Sequence, residues 1–215
     1  MNNLRPPFIT FEGGEGSGKT TQIKQLKSWL EEQGKTVIAT REPGGTPGAE
    51  DIRNLIVQQR DYQWDAETDA LLLMAARRDH LVHKIWPALE KGEWVISDRF
   101  VESTYAYQCF GRDMDLQSAM DLYKFIAGDF KPSLTFIMDI DPRAGLDRVL
   151  AGTDDRNKAE MRFENFDYSF HEKLRAGYHH LAQQEPERFA IIDASQDRET
   201  VQNILRNEIK SRFAL

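Results

Sequence analysis

The chain has 215 residues, with 40% hydrophobic and 29% charged side chains, which is enough apolar material for the core of one large domain or one domain with a small insert. A net charge of −7 argues against a broad nucleic-acid surface, no apolar run reaches the roughly 20 residues that cross a bilayer, and Met1-Asn2-Asn3-Leu4-Arg5 lacks a signal-peptide core, so a cytoplasmic location is expected. The single cysteine, Cys109, rules out an intrachain disulfide and any multi-cysteine zinc site, and is expected to pack as a small hydrophobe.

In chain order, Phe8 to Glu12 is predicted as a buried strand. It runs into Gly13-Gly14-Glu15-Gly16-Ser17-Gly18-Lys19-Thr20, which fits the phosphate-binding pattern G-x-x-x-x-G-K-[ST]. Ile23, Leu26 and Leu30 follow at helical spacing, in a helix expected to end near Gln33. Strand, loop and helix are the setting the motif requires. Glycines let backbone N–H groups turn inward around phosphate oxygens, and the helix points its positive end at the same anion. Lys19 adds a full charge, and the Thr20 hydroxyl suits Mg²⁺. Thr36 to Thr40 reads as a second strand, which completes a right-handed βαβ unit and calls for a parallel sheet.

Arg41-Glu42-Pro43-Gly44-Gly45-Thr46-Pro47-Gly48 cannot continue a strand or helix, and follows a strand's carboxyl end, where open α/β sheets place ligands. A helix is expected over Ala49 to Gln58, with Ile52, Leu55 and Ile56 inward and Arg53 off that face. Ala66 to Lys91 is expected to be largely helical, with Leu71, Leu72, Ala75, Leu81 and Ile85 as its core stripe and Pro87 kinking it or starting a new helix. Arg77-Arg78-Asp79-His80 within it fits a solvated face. Trp94 to Arg99 is the third strand; an acid at its carboxyl end suits Mg²⁺ or its water, and the Arg beside it can reach phosphate. Ser103-Thr104-Tyr105-Ala106-Tyr107-Gln108 offers hydroxyls, rings and an amide suited to a base edge, or forms an ordinary amphipathic helix. Helices are expected over Asp115 to Ala127, from Asp141-Pro142 to about Ala151, over Phe163 to Gln184 and over Val201 to Phe213. Leu134 to Ile140 and Phe189 to Ala194 complete the strands, and Gly152 to Glu160 reads as a mobile loop. The histidines show no ligand spacing.

Four segments resemble the bacterial thymidylate kinase family, in its order and along essentially the whole chain: Phe11 to Thr21; Thr40-Arg41-Glu42-Pro43-Gly44-Gly45-Thr46; Asp98-Arg99-Phe100 with Ser103 to Gln108; and Ile192-Asp193-Ala194-Ser195. The resemblance implies an α/β P-loop NTPase fold in one domain over residues 1–215, a five-stranded parallel sheet flanked by helices, a lid near 148–162, and a homodimer. It implies ATP as donor, Mg²⁺ as cofactor, dTMP as acceptor, and no nucleic-acid polymer or membrane partner. Gly13, Gly14, Glu15, Gly16, Ser17, Gly18, Lys19, Thr20 and Thr21 would hold the donor phosphates, with Ser195 and Gln196 bordering adenine. Glu15 would also hold the acceptor 3′-hydroxyl; Arg53, Arg77 and Arg99 would grip the acceptor phosphate; Glu42 and Pro43 would shape the loop, with Glu42 near Mg²⁺ or water. Thr104 and Gln108 would read thymine, Tyr107 would pack near the sugar, and Thr20 and Asp98 would serve the metal.

Two positions depart from the family pattern. Leu73 stands where a thymine-stacking Phe is usual, and the P-loop lacks a basic residue among its variable positions. In that branch the lid supplies catalytic arginines; Arg148, Arg156 and Arg162 are available, and Arg156 is the choice beside Lys19 and Arg99. Competing readings are a kinase for another nucleotide or a deoxynucleoside, a GTP-hydrolysing switch protein (opposed by the lack of an N-K-x-D segment) and a DNA-dependent ATPase (opposed by the net charge).

Overall fold

A computed structural model describes residues 6–58, 61–152 and 167–215. Its elements are β1 (Phe8–Glu12), α1 (Lys19–Glu32), β2 (Val37–Arg41), α2 (Pro47–Val57), α3 (Ala66–His80, continuing through Leu81–Ile85 and Trp86–Glu90), β3 (Trp94–Asp98), α4 (Val101–Thr104, continuing through Tyr105–Phe110), α5 (Leu116–Ala127), β4 (Leu134–Asp139), α6 (Pro142–Gly152), α7 (Tyr168–Gln184), β5 (Phe189–Asp193) and α8 (Arg198–Phe213). The strands form one parallel sheet in the order β2-β3-β1-β4-β5. β1 is central; the crossover out of it runs to the β2 edge, while the one out of β3 passes it to reach β4 on the other side, so a crevice opens at its carboxyl end.

The strands are apolar because both faces are covered. Ile9 and Phe11 point to a core shared with Leu26 and Leu30 of α1 and with Leu205 and Ile209 of α8. The alternate residue Phe8 joins Met74 and Leu81 of α3, Phe100, and Leu174 and Tyr178 of α7 on the other face. Each such fully buried side chain contributes about 1.5–3 kcal/mol relative to exposure. None of the described helices is long and apolar enough to cross a membrane.

Several boundaries differ from expectation. Leu71 is 55% exposed and Ala75 is exposed; the inward stripe of α3 is Ala70, Met74, Arg77 and Leu81. Arg77 and His80 are therefore buried rather than solvated, because Glu42 pairs with both. At Pro87, as expected, a new α-helical segment begins, Trp86–Glu90, with the proline in its first turn. A π-helical turn precedes it, with the Trp86 N–H bonded back to the Leu81 carbonyl, so the ring enters a turn that is already loosened. α7 begins at Tyr168 after extended Asp167, which caps it by accepting from the Phe170 N–H; the expected start at Phe163 lies outside the described residues. α8 starts earlier than expected, at Arg198, because Asp197 caps it in the same way. Cys109 is packed as expected, and burial, with Asp115 nearby, pushes its thiol up to about 11.

Candidate active site

The loop between β1 and α1 closes on itself. Lys19 Nζ donates to the carbonyls of Gly13 (3.0 Å) and Gly14 (2.9 Å), and Ser17 Oγ donates to Gly14 O (2.8 Å). Gly16 has φ +68, and a Cβ there would lie 2.0 Å from the carbonyl oxygen of Gly145 on α6, so only glycine fits. Burial lowers the Lys19 pKa and Arg99 lowers it further, while Glu15 and Asp98 oppose them. Thr20 Oγ1 donates to Asp98 Oδ2 at 2.8 Å, which brings the two expected metal-serving residues together. Both present oxygen, the donor type a hard cation such as Mg²⁺ takes. A cavity of about 290 Å³ is lined by Glu15 to Thr21 with Asp98 and Arg99.

Arg99 follows β3 in the left-handed region, with φ 69. Its Nη2 donates to Glu15 Oε1 (2.5 Å), and its Nη1 reaches Gly13 O (3.2 Å), Ser103 Oγ (3.2 Å) and Tyr178 Oη (3.4 Å). Tyr107 donates to the same Glu15 oxygen at 2.7 Å, and its ring lies 5.1 Å below the guanidinium. Burial alone would raise the Glu15 pKa, but Arg99 and Lys19, with the Tyr107 hydroxyl, outweigh it and hold the carboxyl at about 2. Beneath this cluster lies Glu12, fully buried; burial, with the like charge of Glu102, pushes it up to about 8.

A second cluster lies between the β2–α2 loop and α3. Glu42 Oε2 accepts from Arg77 Nε (2.8 Å), and Oε1 bonds to His80 Nδ1 (2.9 Å), whose Nε2 bonds to Thr40 Oγ1 (2.7 Å). Glu42 thus fastens the loop to α3, and it is not among the residues lining the phosphate cavity. Arg53 Nη1 donates to Pro43 O at 3.0 Å. Arg77, grouped with Arg53 and Arg99 from the sequence, is only 2% exposed and donates to Thr104 Oγ1 (3.1 Å) and Phe100 O (3.0 Å). It therefore sits with Thr104 on α4. Gln108, on the π-helical part of α4, is fully buried, with neither amide atom hydrogen-bonded to the protein. Buried amides are usually hydrogen-bonded, so this one stands out among the described residues. Leu73 is partly buried one residue before Met74.

At the far edge, Ser195 N–H and Oγ donate to Asp193 Oδ1, Gln196 Nε2 donates to Asp193 Oδ2, and Arg148 Nη1 reaches Ala194 O (3.0 Å). Arg156, Arg162 and the lid beyond residue 152 lie outside the described residues. Sequence reasoning missed Glu12, Tyr178 and Gly145. An acid closing an otherwise apolar strand was the available signal for Glu12; Tyr178 and Gly145 carry none, because their partners lie far away in sequence.

At the carboxyl end of the central strand a glycine loop, a helix N-terminus, a lysine and an arginine converge on one cavity, and the architecture is that of a P-loop NTPase. Comparison with known proteins narrows the class. A family model described as thymidylate kinase matches residues 11–205. The thymidylate kinase of Marinomonas sp. (strain MWYL1) is 42% identical over 96% of this chain and 95% of its own. That of Jannaschia sp. (strain CCS1) is 44% identical over 98% and 99%. The crystal structure of thymidylate kinase from Ehrlichia chaffeensis superposes with a TM-score of 0.76 at 32% identity, over 95% of this chain and 98% of that one. The chain belongs to the thymidylate kinase family.

Proposed function

We propose that the chain transfers the γ-phosphoryl group of ATP to the 5′-phosphate of dTMP: the β–γ bridging P–O bond breaks, an acceptor phosphate oxygen bonds to the γ-phosphorus, and ADP and dTDP leave. The observation that carries this reading is the Glu15–Arg99–Tyr107 cluster, which sets an acceptor-type site directly against the P-loop cavity. Catalysis here is positioning plus charge neutralisation, with no covalent enzyme intermediate.

The P-loop amides and Lys19 hold the β- and γ-phosphates. Arg99 faces the same cavity and bridges acceptor and transferred phosphates. Ionised Glu15 accepts a hydrogen bond from the sugar 3′-hydroxyl, and Tyr107 closes over that sugar. Thr104 and Gln108 meet the base, with Arg77 beside them rather than on the phosphate; Leu73 covers the ring in place of an aromatic. Arg53, next to Pro43, serves the acceptor phosphate. Thr20 and Asp98 would hold Mg²⁺ or its waters, and the ion would supply positive charge against the charge developing on the transferring phosphate. Ser195 and Gln196 border adenine, and Arg156 closes from the lid.

Leu71 on α3 and Phe125 and Met120 on α5 are 55%, 88% and 37% exposed on two helices that pack together, a face suited to a second copy of the chain in a homodimer. Sedimentation at the monomer mass would refute that assembly. The test of function is ADP release from Mg-ATP with dTMP, dUMP, dCMP, dGMP, UMP and thymidine offered separately. Turnover mainly with dTMP is expected; turnover mainly with another acceptor would reassign the specificity, and turnover with none would remove the kinase reading.

A further inference from the structure

Arg99 carries the transfer chemistry from an unfavourable backbone conformation. Left-handed φ costs a non-glycine residue about 1–2 kcal/mol, so something must hold it there. Sheet-type bonds fix the residue's near side: Arg99 N–H donates to Phe11 O (2.8 Å) and Glu42 N–H donates to Asp98 O (2.9 Å). On the far side, the Phe100 N–H donates to a carboxylate oxygen of Glu12 at 2.7 Å. The other Glu12 oxygen accepts from Ser103 Oγ (2.6 Å) and Tyr178 Oη (3.3 Å). Those two hydroxyl oxygens are the ones Arg99 Nη1 reaches at 3.2 and 3.4 Å. One side chain therefore ties down the backbone immediately after Arg99 and the hydroxyl groups under its guanidinium.

We infer that Glu12 is a positioning residue for phosphoryl transfer, a buried strut that fixes both the left-handed turn and the guanidinium of Arg99. The inference rests on the role given to Arg99 under the proposed function. Glu12 has no exposed surface and does not line the phosphate cavity. A buried acid is costly beside an apolar residue of similar volume, so stability alone gives this position no reason to be Glu. Its groups face Glu102, Arg99, Ser103 and Tyr178, and reach rather than charge decides whether the Phe100 N–H is satisfied.

The experiment compares Glu12→Gln with Glu12→Asp, with Glu12→Ala as a third variant, reading kcat, KM for dTMP, affinity for an ATP analogue and the melting temperature. Gln keeps the length and an acceptor for the Phe100 N–H, and its amide can donate to the Ser103 and Tyr178 oxygens. Its kcat should stay within about tenfold of the parent. Asp keeps the carboxyl group but falls one methylene short; its kcat should drop about 100-fold, the loss a displacement of roughly 1 Å can bring, with analogue affinity unchanged. A purely structural role would lower the melting temperature without separating kcat from donor affinity. Asp as active as Gln, or Ala at the parent kcat, overturns the inference. A parent chain inactive with dTMP, or an Arg99→Ala variant that turns over normally, would instead overturn the reading on which it rests.

Discussion

Replacing Gly145 with Ala tests how closely the P-loop depends on α6. Local propensity favours the change, since Ala in a helix interior is better than Gly by about 1 kcal/mol. The tertiary contact opposes it. A Cβ at residue 145 would lie 2.4 Å from the Glu15 carbonyl oxygen, whereas ordinary contact starts at 3.4 Å, so that carbonyl must retreat by about 1 Å. On the other side of the same contact, residue 16 is already too close to the Gly145 carbonyl to carry any side chain. The retreat therefore displaces the stretch that presents the Glu15 carboxylate and the Gly16 amide. Overpacking of this kind costs about 1–3 kcal/mol, partly offset by the propensity gain, so the melting temperature should move by no more than a few degrees. Activity should suffer far more, with kcat down about 100-fold and KM for dTMP raised. Steady-state ADP release with a parallel thermal melt checks this. Turnover within threefold of the parent would refute the coupling between α6 and the phosphate loop.

Three further outcomes follow from the same geometry. Arg99→Ala should lose about 10³-fold or more in turnover while an ATP analogue still binds by calorimetry; near-normal turnover would remove Arg99 from the mechanism. Leu73→Phe should restore ring stacking worth roughly 0.5–1.5 kcal/mol and lower KM for dTMP about two- to tenfold, and an unchanged KM would place residue 73 away from the base. Stability should depend on pH through two carboxyls of opposite sign. Glu15, lowered from 4.5 to about 2 in the fold, contributes stability present above 4.5 and lost as pH falls towards 2. Glu12, raised from 4.5 to about 8, contributes stability present below 4.5 and lost as pH rises through 8, so between pH 5 and 8 its loss is the active one. Denaturant unfolding at pH 5 and 8 should show the parent weakening relative to Glu12→Gln across that interval, and parallel curves would contradict the burial argument.

The phosphate loop was legible because its chemistry is contiguous: Gly13 to Thr20 must fold back on themselves between β1 and α1, and the residue types say so. The strands were legible because they are covered on both sides and read as apolar runs. α3 was not. It is apolar around more than one face, so periodicity alone put Leu71 inside, whereas the inward line runs through Ala70, Met74, Arg77 and Leu81. What pulls Arg77 and His80 inward is Glu42, 35 and 38 residues earlier, and no local pattern carries that pairing. The cap at Asp197 was present in the sequence as Asp before a helical run, and that capping preference outranked the apolar Val201 used to draw the boundary.

The division of labour between the two buried arginines also needs three dimensions. The family resemblance gives Arg77 and Arg99 one role, a grip on the acceptor phosphate. In the fold, Arg77 is 2% exposed; its Nε goes to Glu42, its Nη1 to Thr104 and Met74, and its Nη2 to the Phe100 carbonyl. A guanidinium engaged at all three nitrogens is a framework for the groups it touches, and those include Thr104 in the base-side cluster. Arg99 is 17% exposed and faces the phosphate cavity; it is held from one side by Glu15 and the hydroxyls beneath it, and its Nε enters none of those bonds. Its charge is thus oriented before any phosphate arrives, and a cation already fixed in place stabilises developing negative charge without reorganising. The same carboxylate that orients it, Glu15, belongs to the phosphate loop. On the proposed roles, the phosphate loop and Arg99 are tied together through one carboxylate, and any substitution that loosens either should be felt as a loss of kcat before a loss of ATP affinity.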